Sequence, residues 1–169
     1  MKTQSNMNFT LRPPCLQDGA AITRLVKQSQ TLDVNSSYLY FLLAEHFSDT
    51  CAVAQLDDAD NELVGFVTAY RLPKDPSVLF VWQVAVDPKM RGQGLAMALL
   101  KNLTQRDWFG EIRQVQCTIS PSNTASNALF NKLAGELSSH TKIEPFLTET
   151  HLGGGHEDEP LVVIDLTKS

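Results

Sequence analysis

The chain has 169 residues, 43% hydrophobic and 20% charged, with 14 basic against 19 acidic side chains. That length suits one compact domain over residues 1–169, since a chain of this size buries roughly two-thirds of its unfolded surface. The net charge of −5 disfavours nucleic acid and anionic membrane as partners, because neutralising phosphates supplies most of that binding. The sequence has no run of about 18 apolar residues to span a bilayer. The opening MKTQSNMNFT has one lysine and lacks the apolar stretch of a secretory signal. Cys15, Cys51 and Cys117 are scattered and odd in number, which speaks against a disulfide framework or a zinc site. A soluble, cytoplasmic protein without a metal is expected.

FTLRPP (9–14) reads as a first strand stopped by two prolines. Asp18 can cap the helix that follows, whose Ile22, Leu25 and Val26 share one face. Turn formers at 31–37 separate it from a second helix over 38–47. CAVAQL (51–56) and LVGFVTAYRL (63–72) are strand-like, joined by the polar loop DDADNE. SVLFVWQVAV (77–86) is nearly all apolar, as suits a central strand covered on both faces. A helix, LAMALLKNL, follows DPKMRGQG, and QVQCTIS (114–120) is another strand. The next helix places Ala125, Ala128, Leu129 and Leu133 on one face, with Gly135 as its stop. A strand around 142–146, three glycines (153–155), the run HEDE (156–159) and a last strand (161–166) complete the chain. Helices alternating with strands imply a layered α/β domain with a partly parallel sheet.

The strongest local signal is RGQGLA (91–96), between a buried strand and a helix. Gly92 and Gly94 allow backbone conformations closed to other residues. The N–H groups of the helix start then offer an anion site favoured by the helix dipole, with Arg91 adding a charge. The GK[ST] ending of a phosphate-binding P-loop is absent, as is the third glycine of a dinucleotide fingerprint.

In its context, QVAVDPKMRGQGLAMALL (83–100) resembles motif A of the GNAT superfamily of acetyl-CoA-dependent N-acetyltransferases. SNTASNALFNKLAG (122–135) resembles the superfamily's second signature. The resemblance implies an α/β acyl-CoA N-acyltransferase fold, a mixed central sheet flanked by about four helices, with acetyl-CoA as cosubstrate. Arg91, Gly92, Gln93, Gly94, Leu95 and Ala96 would hold the pyrophosphate, with Asn123 a further cofactor contact. Val84 would polarise the thioester carbonyl through its N–H, an oxyanion-hole arrangement contributing a few kcal/mol. Val86 would pair with the pantetheine arm.

TLDVNS (31–36), Tyr38, FVWQVAVD (80–87) and GHEDE (155–159) further resemble the L-2,4-diaminobutyrate acetyltransferases of ectoine biosynthesis. That implies acetylation of the 4-amino group of diaminobutyrate by direct attack in a ternary complex, a role in osmotic adaptation, and a homodimer. Acceptor binding would fall to Asp33, Asn35, Tyr38, Trp82, His156, Glu157 and Glu159. Catalysis would fall to Glu159, Asp33 and His156, together with Val84.

As bare residues these positions have other readings. Asp33 suits a turn or helix cap, Trp82 a core position, and HEDE a solvated loop. In a strand, alternation would place His156 and Asp158 on one side and Glu157 and Glu159 on the other. Phe130 stands where many superfamily members carry a tyrosine that protonates the leaving thiolate, a role phenylalanine cannot fill. Cys117 suits a buried strand cysteine better than a covalent nucleophile, since nothing basic neighbours it in sequence. Two alternatives are a GNAT enzyme for another small amine, such as a polyamine, and a non-catalytic acyl-CoA sensor.

Overall fold

A computed structural model describes residues 8–57 and 60–167. Most of MKTQSNMNFT (1–10), read as lacking a secretory signal, and the middle of the DDADNE loop (58 and 59) lie outside the described residues. The elements run β1 (Phe9–Arg12), α1 (Gly19–Ser29), α2 (Ser37–His46), β2 (Ala52–Leu56), β3 (Leu63–Leu72), β4 (Asp75–Val86), α3 (Leu95–Thr104), β5 (Gln114–Thr118), α4 (Thr124–Glu136), β6 (Thr141–Leu147) and β7 (Glu159–Asp165). The strand order is β1-β2-β3-β4-β5-β7-β6, the mixed seven-stranded α/β sheet with four helices that the sequence implied. None of the described helices is long and apolar enough to cross a membrane.

By contact the chain forms two compact units. One runs to Thr68 and resumes over Gln83–Leu103; the other comprises Ala69–Trp82 and the chain from Thr104 onward.

In the first unit β1 and β2 are antiparallel, with Phe9 opposite Leu56, and β2 pairs antiparallel with the leading half of β3. Ile22, Leu25 and Val26 of α1 are each at most 2% exposed, the face their spacing predicts. Such burial contributes about 1.5–3 kcal/mol per side chain. A Cβ at Gly19 would stand 2.4 Å from the Phe41 ring, so only glycine lets α1 start this close to α2. Asp18 does not cap α1 through its side chain. Its carboxylate instead takes two hydrogen bonds from the Arg12 guanidinium (2.7 and 2.9 Å) and one from the Cys15 N–H (2.8 Å), tying β1 to the helix entry. Burial works to raise the Asp18 pKa, but these donors outweigh it and hold the carboxyl below its ordinary range.

In the second unit β4 and β5 run parallel from Val78 opposite Gln114 to Phe80 opposite Gln116, and β7 lies antiparallel between β5 and β6. Helix α4 departs from expectation in two ways. Its buried residues are Phe130, Leu133 and Ala134, whereas Ala125 and Ala128 are exposed. The small alanines share a face with Leu129, but the large Phe130 decides which side turns inward, because it has the most apolar area to bury. The helix also runs past Gly135. The left-handed residue is Ser138 (φ +56°), where Ser138 N–H donates to the Gly135 carbonyl and Ser139 N–H to the Ala134 carbonyl. That is the Schellman closure with serine in glycine's usual place.

Strand β4 is not covered equally on its two faces. Leu79, Val81, Gln83 and Ala85 are buried, while Phe80, Trp82, Val84 and Val86 alternate with them as half-buried residues. An apolar run predicts burial of both faces only where both have packing partners.

Candidate active site

In the first unit the turn after β4 is built by Asp87. Its N–H donates to the Val64 carbonyl (2.8 Å) and its Oδ1 accepts from the Lys89 N–H (2.9 Å). Met90, fully buried, anchors the turn from beneath. Arg91, Gly92, Gln93 and Gly94 then run exposed into α3. Gly92 and Gly94 have φ of +74° and +78°, and a Cβ at either would meet nothing within 4 Å. Glycine is therefore demanded by the backbone angle, not by crowding. Leu95 is buried and seats the helix; the N–H groups of this first turn have no intrahelical partners and face an anion-receptive end. Arg91 Nη2 donates to the Ser29 carbonyl at 3.4 Å. Lys89 is drawn to Glu62 (2.5 Å), which also pairs with Arg24 (2.6 Å). Hydrogen bonds from Lys89 and then Arg24 hold the Glu62 carboxyl below its usual range. The residues present suit a diphosphate: two left-handed glycines, a helix N-terminus of ten residues and Arg91 on one exposed turn.

The loop between α1 and α2 carries Asp33 and Asn35. Asp33 is exposed and caps nothing; Ser36 stands at the start of α2. The Asp33 carbonyl accepts from Asn35 Nδ2 (3.2 Å) and, at a long 3.5 Å, from Gln83 Nε2. Tyr38 is 69% exposed on the first turn of α2. Tyr40 is fully buried, and its hydroxyl donates to Gln83 Oε1 (3.1 Å).

In the second unit Glu157, Glu159 and Asn123 gather at the end of β5. Glu159 opens β7, and its Oε2 accepts from the Thr118 hydroxyl at 2.8 Å. Glu157 accepts from the hydroxyl of Ser122 and from its N–H (3.4 Å). Asn123, next in the chain, spends its Oδ1 capping α4 through the Ser126 N–H. Asp158 turns elsewhere, to the Glu149 N–H (2.7 Å), and His156 is exposed. Glu157 and Glu159 both bond residues of the 118–122 segment while Asp158 does not, the division that alternation predicts for these three, although only Glu159 lies in the strand. Gly153, Gly154 and Gly155 all have positive φ, a left-handed run that precedes the chain's entry into the sheet at Glu159.

Phe130 is 4% exposed and faces the core. Cys117 is also buried, and burial pushes its thiol well up, leaving negligible thiolate at neutral pH. All three cysteines are free. The described residues contain no group of three or more His, Cys, Asp or Glu set to hold a metal ion. Sequence reasoning missed Thr118 and Gln83 as partners of these groups. The signal for Gln83 was present: it is the one polar residue within LFVWQVAV.

The acetyltransferase (GNAT) family model matches residues 20–135. An L-2,4-diaminobutyric acid acetyltransferase of Bordetella parapertussis is 44% identical over 161 residues, 95% of this chain and 86% of that protein. One of Vibrio cholerae is 43% identical over 162 residues, 95% of this chain and 92% of that protein. Among solved structures, diaminobutyrate acetyltransferase EctA from Paenibacillus lautus, in complex with its substrate L-2,4-diaminobutyric acid and coenzyme A, superposes with a TM-score of 0.89. It is 37% identical, covering 97% of this chain and 98% of its own. The ribosomal-protein-S18-alanine N-acetyltransferase of Escherichia coli shares the fold alone, at TM-score 0.66 and 18% identity over 96% of each chain. The chain therefore belongs to the GNAT acetyltransferase family and, within it, to the L-2,4-diaminobutyric acid acetyltransferases.

Proposed function

We propose that this chain transfers the acetyl group of acetyl-CoA to the 4-amino group of L-2,4-diaminobutyrate, giving N4-acetyl-L-2,4-diaminobutyrate for ectoine biosynthesis in osmotic adaptation. The observation that carries the reading is the 37% identical relative solved with diaminobutyrate and coenzyme A, matched over 97% of this chain. The chain acts as one cytoplasmic acetyltransferase domain and as a homodimer. The exposed Ile143 and Phe146 on β6, last strand in the sheet order, support a second copy as partner.

The turn of Arg91, Gly92, Gln93, Gly94, Leu95 and Ala96 binds the diphosphate through N–H groups and the Arg91 charge. Asn123 is a further cofactor contact, and Val86 pairs with the pantetheine arm. The Val84 N–H stabilises negative charge developing on the thioester oxygen. Asp33, Asn35, Tyr38, Trp82, His156, Glu157 and Glu159 recognise the acceptor. Its ammonium groups favour the carboxylates, and the Trp82 indole N–H suits its carboxylate.

The amine must lose a proton before it attacks, and Asp33 or Glu159 takes it, directly or through a water, with His156 assisting. The nitrogen lone pair then adds to the thioester carbon and pushes the C=O electron pair onto oxygen; the C=O re-forms as the C–S bond breaks, the nitrogen gives its second proton to water, and the thiolate leaves. Buried Phe130 has no proton to give, and the low basicity of a thiolate lets it leave without one, solvent protonating it afterwards. The raised thiol of Cys117 supports direct attack over a covalent acetyl-enzyme.

The test is thiol release from acetyl-CoA with diaminobutyrate, ornithine, lysine and putrescine, with the acetylated nitrogen assigned by NMR. Preference for diaminobutyrate with acetylation at N4 is expected. Turnover only with other amines refutes the acceptor assignment; cofactor binding with no turnover makes the chain a sensor.

A further inference from the structure

Gln83 is 5% exposed, and a primary amide buried in a strand is costly unless both of its ends are bonded. Its two ends have different partners. The Asp33 carbonyl can only accept, so the Nε2 faces it, at 3.5 Å. The Oε1 then accepts from the Tyr40 hydroxyl at 3.1 Å. The backbone is held as well: the Gln83 N–H donates to Thr68 Oγ1 (3.2 Å), and the Thr68 hydroxyl donates to the Gln83 carbonyl (3.4 Å). Tyr40 and Thr68 are at most 1% exposed, so water does not compete for these bonds. Gln83 immediately precedes Val84, and its side chain reaches 50 residues back along the sequence to the exposed loop bearing Asp33.

We propose that Gln83 is a positioning residue: it fixes the Asp33 loop against the strand that bears Val84, with Tyr40 holding its amide in the productive orientation. The inference rests on the reading of Asp33 as an acceptor-binding residue. Among the described residues, the bonds within this loop are local, Asn35 Nδ2 to the Asp33 carbonyl and the Leu32 N–H to Ser29 Oγ, both 3.2 Å, and Arg91 Nη2 reaches only its edge, at the Ser29 carbonyl (3.4 Å). Gln83 supplies the long-range tie that local bonds do not.

The test compares wild type, Gln83→Met, Tyr40→Phe, Asp33→Asn and the Gln83→Met/Asp33→Asn double variant, with kcat and both KM values for each. Methionine keeps the length and volume of Gln83 and loses both polar ends. Gln83→Met is expected to raise the KM for diaminobutyrate by about 2- to 12-fold, the span of an ordinary lost hydrogen bond. The KM for acetyl-CoA should stay unchanged. Added to Asp33→Asn it should have less than its single effect, because both act on one loop. Tyr40→Phe removes one oxygen and should move the same KM in the same direction, which keeps the test open if Gln83→Met folds poorly. A wild-type KM for diaminobutyrate in Gln83→Met and Tyr40→Phe overturns the proposal. So does an equal rise in both KM values, or full additivity with Asp33→Asn. An Asp33→Asn variant with wild-type acceptor kinetics refutes the reading of Asp33 itself, and the proposal with it.

Discussion

Gly94→Ala isolates the backbone contribution of the anion-binding turn. A Cβ at this position meets no heavy atom within 4 Å, so the substitution adds no clash, and its cost comes from holding an L-residue at φ +78°. That cost is about 1–2 kcal/mol. It must appear in one of two places. If the variant turn relaxes in the free protein, the Gly94 peptide rotates. Its carbonyl, which accepts the 3.0 Å bond from Ala98 N–H, and the Leu95 N–H are then re-aimed. Binding of acetyl-CoA must restore them, and its dissociation constant rises about 5- to 30-fold. If the turn stays as it is, the strain lowers stability instead, by about 2–8 °C in Tm for a chain of this size. Calorimetric titration with coenzyme A and a thermal melt on the same sample measure both shares, whose sum should be about 1–2 kcal/mol. The KM for diaminobutyrate should not move. A variant with wild-type affinity and wild-type Tm refutes the assignment of glycine to a backbone requirement at this turn.

Asp18→Asn should cost about 1.5–3 kcal/mol at neutral pH, the value of a hydrogen-bonded charge pair. Because the folded Asp18 pKa is depressed, its contribution is present above the unfolded carboxylate value and is lost as pH falls through the folded one. Denaturant melts should show a shallower acid decline for the variant, and an unchanged acid slope would contradict this. Ser138→Gly should gain about 1 kcal/mol and about 2–4 °C by relieving the positive φ, and a melt that falls would show the serine side chain to be needed. Cys117→Ala should retain turnover, with no acetyl adduct on intact wild-type protein by mass spectrometry; loss of kcat in a folded variant would restore a covalent route.

Much of the fold was legible because hydrophobic spacing and turn residues are local signals. The faces of α1, the order of the strands and the glycine turn before α3 follow from residues within a few positions of one another, though β4 and β7 each begin two residues earlier than expected. The motif RGQGLA was readable for the same reason, since a helix N-terminus is made by consecutive residues. Local pattern failed where a distant partner competed for a group. Asp18 had the chemistry of a cap, but Arg12 outbids the helix N–H groups with a charge. The face of α4 was settled by the bulk of Phe130, and its end by Ser138 in the left-handed position, not by the nearby Gly135 that the sequence pattern predicts. Only the tertiary structure gave Glu159 its Thr118, Glu157 its Ser122 and Gln83 its links to Tyr40 and the Asp33 loop. Those bonds join residues 35 to 50 positions apart, and one-dimensional spacing carries no record of which buried polar group will meet which.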